Sequence, residues 1–373
     1  MREVQSGERA RAGIDECHVL AWAGGWSDDV GPILEELYYE RYGSQLQLGW
    51  AHFIGGADFK RNVERYPFTD VVIGDREIMN VYAAQGSLCP VTSSELGSDP
   101  HADYPSWLDA FCVRRGSQLF GIPVRWGITP VLVRRGLVRS RSKRDTMRHI
   151  IDSGVDFLLW SPKGYFLPSM ALLATAVSPK SPLVLTDGEF DKLRDVLGKM
   201  AEGSTEVAYS ASAFMKKIIA GEADVISCAG DWIIRYVERC HPDDYSRIKR
   251  DYEYTFPAGV KVPAFFETAG ILASGRNPLV ASRVVRLLAS SAVRRRINGL
   301  GGDRESPTDG FFSNPTIGEA SVLGPEYKEV PVTQVLRACL PRALPTDHRL
   351  CPSYGRWMAA WEEFRQHTKR AES

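Results

Sequence analysis

The chain has no apolar run approaching the roughly 18 residues that a membrane-crossing helix needs. Its opening, MREVQSGERARAGIDECHVLAW, also lacks the apolar stretch of a secretion signal. There is no surplus charge: 46 Lys and Arg stand against 46 Asp and Glu. That balance gives no footing for nucleic acid or an anionic membrane surface. The seven cysteines are scattered singly, without a CxxC or the Cys/His spacing of a zinc site, so no metal is expected. Neither GxGxxG nor GxxxxGK occurs, so Gly24-Gly25 and Gly55-Gly56 are not phosphate loops. The seven histidines form no triad spacing. No cofactor is expected. The odd cysteine count suits a reducing compartment, and the chain as written reads as cytoplasmic; with a signal removed from its front it would be periplasmic or extracellular.

What is present is ordinary globular material: 373 residues, 44% apolar and 25% charged, enough for two or three domains with a large core. Short apolar runs alternate with helical periodicity. Cys17 to Ala23 reads as a buried strand, Ser27 as the cap of a helix ending at Gly43, and Gln45 to Trp50 as a second strand. A helix near Ala57 to Glu64, a strand Thr69 to Ile73 and a helix from Asp75 to Gln85 follow. Such a β-α series predicts a mostly parallel sheet covered by helices. After an extended apolar stretch, Leu119 to Val133, broken by Pro123 and Gly127, the pattern restarts. Val155 to Trp160, Val207 to Ser210 and Asp224 to Cys228 read as strands. Helices are predicted at Leu167 to Val177, Gly188 to Glu202, Ser212 to Ala220, Asp231 to Cys240, Ala292 to Gly299 and Ser353 to Arg370. A second extended run, Val262 to Ala273, precedes a helix opened by Pro278. Two βα sets, each followed by an extended segment, describe a chain that crosses twice between two lobes. Ligands in such sheets bind at the carboxyl ends of strands where strand order reverses.

Five segments carry a family likeness. They are WAGGWSDDVGPILEELYYERYG, TDVVIGDREIMNVYAAQGSL, FGIPVRWGITPVLVRR, EVAYSASAFMKKIIAGEADVISCAGD and VPAFFETAGILASGRNPLVASRVVRLLASSAVRRRI. In this order, over about residues 17–300, the chain resembles the spermidine/putrescine-type solute-binding proteins of ABC transporters. The resemblance implies an α/β, two-lobed periplasmic-binding-protein-like fold of type II, with two mixed sheets flanked by helices and two hinge crossovers. Lobe 1 would comprise 17–131 and 264–312, and lobe 2 would comprise 132–263 and 313–373, after a flexible tail 1–16. It implies a monomer that holds a small molecule between the lobes, with an ABC permease as partner if the chain is exported, and no nucleic acid.

By the same resemblance Trp26 is an aromatic near the ligand and Asp75 lies in a hydrogen-bonding turn. Phe265 and Glu267 match the aromatic and the carboxylate of the second crossover, and Asp231 or Trp232 falls near another aromatic position. Aromatic faces hold methylenes and cations, and carboxylates pair with ammonium groups. The sequence departs from the family at Ser161-Pro162-Lys163-Gly164-Tyr165-Phe166, where Lys163 and Phe166 fall at acidic positions. A lysine there repels a dication and suits a carboxylate or phosphate, so the expected ligand is small, polar and amine-containing, with one anionic end.

Each residue has a plainer reading beside this one. Trp26 can be core, Asp75 and Asp231 helix caps, Lys163 a surface lysine, and Glu267 the partner of an internal salt bridge. Arg125 and Trp126 interrupt an apolar crossover, and Arg125 can take a carboxylate in two-pronged fashion. The alternative function is an intracellular biosynthetic enzyme of lyase, transferase or cyclase type on the same fold, with Glu267 or Asp231 as acid or base and Lys163 or Arg125 holding an anionic group. Cys112 is not expected to be a nucleophile. On the binding reading, Glu267→Ala and Trp26→Ala are expected to weaken ligand binding and leave the fold intact.

Overall fold

The computed structural model describes residues 13–22, 26–53, 56–91, 111–128, 131–137, 150–160, 185–227, 237, 241–255, 262–290, 292–293, 296, 339–341 and 353–370. The helices read at Leu167 to Val177, most of Asp231 to Cys240 and most of Ala292 to Gly299 lie outside them. Among the described residues no helix is long and apolar enough to cross a membrane.

The first βα series is observed as β1 (Ile14–Trp22), α1 (Gly31–Tyr42), β2 (Gln45–Phe53), α2 (Gly56–Arg65), β3 (Val71–Asp75) and α3 (Arg76–Ala84). Short strands β4 (Leu88–Cys89) and β5 (Val113–Arg115) lead to the long strand β6 (Gln118–Ile128). Ser27 does not cap α1 as its sequence suggests. It lies in a wide π-helical turn, Trp26–Val30, that runs directly into the helix, and its hydroxyl bonds Asp28 instead. α1 stops at Gly43, whose φ of 70° is the left-handed conformation that glycine adopts without penalty.

The second series is built from β7 (Val131–Arg134), β8 (Phe157–Trp160), the helix Asp187–Glu202, β9 (Thr205–Ala208), the helix Ala211–Ala220, β10 (Val225–Ser227), the helix Pro242–Asp251 and β11 (Tyr252–Thr255). Thr186 and Glu189 close a reciprocal capping box at the start of Asp187–Glu202, and the Ser210 hydroxyl caps Ala211–Ala220. The chain then returns as β12 (Val262–Leu272) and the helix Pro278–Leu288.

The strands form two mixed sheets. The first has the order β2-β1-β3-β12-β6-β5, with β4 and β13 (Cys339–Pro341) also pairing with β12. The second has the order β11-β7-β10-β8-β9-β14, where β14 is Lys369–Arg370. In the first, β1 runs parallel to both β2 and β3. In the second, β8 runs parallel to both β9 and β10. Each sheet therefore reverses its strand order at a central strand, and each adds an antiparallel strand next, β12 in one and β7 in the other. Helices cover both faces. Cys17, Val19 and Ala21 of β1 pack toward α1 and Pro278–Leu288, while Leu20 packs with Phe59 and Met79 of α2 and α3. In the second sheet Phe157 and Leu159 face the helices Asp187–Glu202 and Tyr354–His367, and Leu158 faces Ala211–Ala220.

The chain passes from first sheet to second between β6 and β7, and back between β11 and β12. Ile128 of β6 pairs with Ala264 of β12 on one side of the passage, and Val131 of β7 pairs with Thr255 of β11 on the other. Cys339–Pro341, inside the stretch 313–373 expected in the second lobe, runs beside β12 of the first sheet. The helix Tyr354–His367 then joins the core of the second.

At the amino end of the first sheet the fully buried Asp70 carboxylate accepts hydrogen bonds from three backbone N–H groups: His18 at 3.0 Å, Arg276 at 2.7 Å and Asn277 at 2.9 Å. It ties β1 to the start of Pro278–Leu288. Removing it takes the acceptor from three part-buried donors and leaves a gap where a buried carboxylate stood. Asp70→Ala is expected to lower unfolding stability by about 3–5 kcal/mol, and Asp70→Asn by roughly half as much, measured by urea denaturation.

Candidate functional site

The order 2-1-3 puts the switch point of the first sheet at the carboxyl end of β1, between β2 and β3, where ligand sites of open α/β sheets form. Four of the residues marked out by sequence emerge there. Trp26 occupies the turn after β1. Asp75 is the last residue of β3. On β12 Glu267 stands opposite Asp75 on one side and opposite Arg125 of β6 on the other. Asp75, Glu267 and Arg125 thus form one row across three strands.

A bulge sets Arg125 in that row. Glu267 pairs with Arg125 but Thr268 pairs with Pro123, which leaves Val124 as the extra residue of β6. Pro123 has no N–H for the ladder, and a bulge is where a strand accommodates that loss and re-aims its side chains. Val124 packs in the same apolar cluster as Trp26, and the Arg125 guanidinium carbon lies 5.2 Å from the centre of the Trp26 ring. Two successive side chains of β6 therefore serve one face.

The centre of the site is Glu267, only 2% exposed. Its Oε2 accepts a 2.9 Å hydrogen bond from Trp26 Nε1, and its Oε1 accepts one from Arg125 Nη2 as part of a buried ion pair. Trp26 is fully buried and Arg125 and Asp75 nearly so. Taking a carboxylate and a guanidinium out of water costs several kcal/mol each, and the arrangement is tolerable because each neutralises the other while Trp26 satisfies the second oxygen. The internal salt bridge that sequence offers as the plainer reading of Glu267 is present, with Arg125 as its partner. Asp75 stands at the cap position of α3, but its side chain makes no capping hydrogen bond. With both oxygens of Glu267 engaged, the arrangement is suited to rigid positioning of charge more than to proton transfer.

The remaining expected residues divide into two groups. Trp126 and Phe265 lie on β6 and β12 beside this row, opposite Phe266 and Gly127 respectively. Their side chains, and Lys163, Asp231 and Trp232 altogether, lie outside the described residues. At the second switch point, the carboxyl end of β8, stands Trp160, stacked on Phe214 with ring centres 5.8 Å apart. The sequence already reads Trp160 as the carboxyl end of a strand, where ligands of such sheets bind; strand order makes that end a switch point. Cys112 is buried in the apolar cluster of the first sheet. Among the described residues no cluster of His, Cys, Asp and Glu could hold a metal ion. A shallow cavity of about 160 Å³ lies at the opposite, amino end of β8 and β9, lined by Asp156, Ser204, Glu206, Lys217 and Glu222. It is on the wrong edge of the sheet for a switch-point ligand.

No protein-family model matches the chain. No curated protein matches it in sequence. Solved structures do match in fold. The spermidine/putrescine ABC transporter substrate-binding protein PotD from Streptococcus pneumoniae is similar at a TM-score of 0.67 and 14% identity, over 95% of this chain and 99% of that one. The binding protein AgtB from A. tumefaciens R10, solved with agropinic acid, is similar at 0.60 and 13%, over 96% and 99%. An ABC transporter solute-binding protein from Thermotoga lettingae, solved with α-D-tagatose, is similar at 0.63 and 13%, over 95% and 100%. The chain has the type II periplasmic-binding-protein-like fold.

Trp26 and Glu267 are buried, so their alanine substitutions are expected to cost stability as well as binding; truncating a buried tryptophan alone costs about 3–5 kcal/mol. A double-mutant cycle separates pairing from packing. Arg125→Met and Glu267→Gln are each expected to destabilise, with Arg125→Met costing about 3–5 kcal/mol because it leaves a buried carboxylate without its cation. The double variant is expected to recover at least half of the summed loss in chemical denaturation.

Proposed function

We propose that this chain is a solute-binding protein that takes a small polar ligand, amine-containing and with one anionic end, between its two sheets. The reading rests on one observation above others. Trp26, Asp75, Arg125 and Glu267, which come from four separate segments, converge at the carboxyl end of β1, where the first sheet reverses its strand order. A buried, charge-paired floor next to the two passages between sheets is what a ligand-dependent closure needs: a rigid surface on one side of a bend. Of the proteins similar in fold, one is named for spermidine and putrescine, and others were solved with agropinic acid and with a sugar, so the fold favours binding without choosing the ligand. If the protein works outside the cell, an ABC permease is its partner, and it acts as a monomer. The engaged oxygens of Glu267 support binding over acid–base chemistry.

Native mass spectrometry of protein purified from its own host is expected to show a co-purifying small molecule in one-to-one ratio. Trp26→Phe keeps the aromatic volume but removes the Nε1–H donor to Glu267. It is expected to weaken that ligand about tenfold by calorimetry with a small loss of melting temperature, because a hydrogen bond to a charged group is worth about 1.5–3 kcal/mol. A wild-type chain that carries no ligand and binds none from an amino-acid, polyamine and sugar panel ends the proposal.

A further inference from the structure

We infer that Arg125 is a specificity-determining residue that supplies Glu267 and the Trp26 ring with their own cation, so that neither takes up an ammonium group of a diamine or polyamine. The inference rests on the ligand-binding reading above and goes further, because it says which charge the ligand cannot carry in excess.

A ligand with several ammonium groups is held by carboxylates whose charge is not already compensated inside the protein. Asp28 and Asp29 stand in the turn that begins at Trp26, and Asp75 ends β3, but the carboxylate that meets both Trp26 and Arg125 is Glu267, 2% exposed. Its two oxygens receive Arg125 Nη2 and Trp26 Nε1. The Trp26 ring, the other feature that attracts a cation, already carries the Arg125 guanidinium at 5.2 Å from its centre. One tethered arginine therefore occupies both attractions that an incoming ammonium would use. Within the row Arg125 cancels Glu267, so that carboxylate offers no free negative charge to a second cation. To seat a second cation at Glu267, a polyamine must displace a guanidinium held by a bulge at Pro123 and packed on tryptophan. A neutral or zwitterionic ligand, or one with an anionic end, needs no such displacement.

The test measures putrescine, spermidine and γ-aminobutyrate by calorimetry and thermal shift on wild type, Arg125→Met and Arg125→Met/Glu267→Gln. Wild type is expected to bind putrescine and spermidine at least tenfold more weakly than Arg125→Met does. The double variant is expected to lose that gain, since the carboxylate released by the first change is removed by the second. If Arg125→Met does not fold alone, putrescine should restore its cooperative melt and leave the double variant unaffected. Wild type that binds either amine as tightly as Arg125→Met, or an Arg125→Met chain that neither gains amine affinity nor is rescued by putrescine, overturns the inference. Strong amine binding by wild type would overturn only this inference and leave the ligand-binding reading in place. Wild type that binds nothing from the panel would remove that reading, while the behaviour of Arg125→Met still decides this one.

Discussion

The buried pairing of Glu267 with Arg125 is the constraint around which the first sheet is arranged. It lies between two strands from opposite ends of the fold's long loop through the second sheet, β6 and β12. A charge buried to this degree is acceptable only with its counterion in place, so the pair demands the register that produces it. The bulge at Pro123, the wide turn that brings Trp26 over the site and the antiparallel placement of β12 against β3 all meet that demand. A one-residue slip of β12 would carry Glu267 to the opposite face and bury both charges alone.

The second sheet repeats the logic of the first without the same residues. β8 holds the central position that β1 holds, with β9 and β10 on its flanks and an antiparallel strand beyond. Trp160 there corresponds in position to the residues that end β1. Two switch points, each built from short parallel strands covered on both faces, give the protein two firm surfaces connected by a pair of strand passages.

Much of this was legible in the sequence, for a physical reason. Buried parallel strands such as Val71–Asp75 contain continuous apolar runs, and helices such as Ala211–Ala220 show in their apolar spacing, although Ser210, which caps that helix, reads as the end of the preceding strand. Strand order and pairing were not legible, because they are decided by contacts between distant segments: Glu267 meets Arg125 across 142 positions and Trp26 across 241. The carboxylate in an apolar run was visible as an anomaly, and so was the arginine beside Trp126, but nothing local says that each answers the other. Ser27 misleads for a similar reason. Its type suits a helix start, yet the buried Trp26 beside it pulls the wide turn into the helix and moves the start to Gly31. Short strands such as β13 and β14 lack a pattern of their own and exist only by pairing.

The lateness of β12 has a consequence for synthesis. It is the strand between β3 and β6, yet it is translated after all of β7 to β11. On a ribosome, β3 and β6 emerge with bare edges and wait for more than a hundred residues before their neighbour arrives. The Asp70 carboxylate waits with them, since two of its three donors, Arg276 and Asn277, come later still. The second sheet, whose strands are contiguous in the chain apart from β14, can assemble in that interval. The half of the protein begun first therefore lacks its middle strand until most strands of the other half have been made, and nascent chains are most exposed to mispairing along β3 and β6.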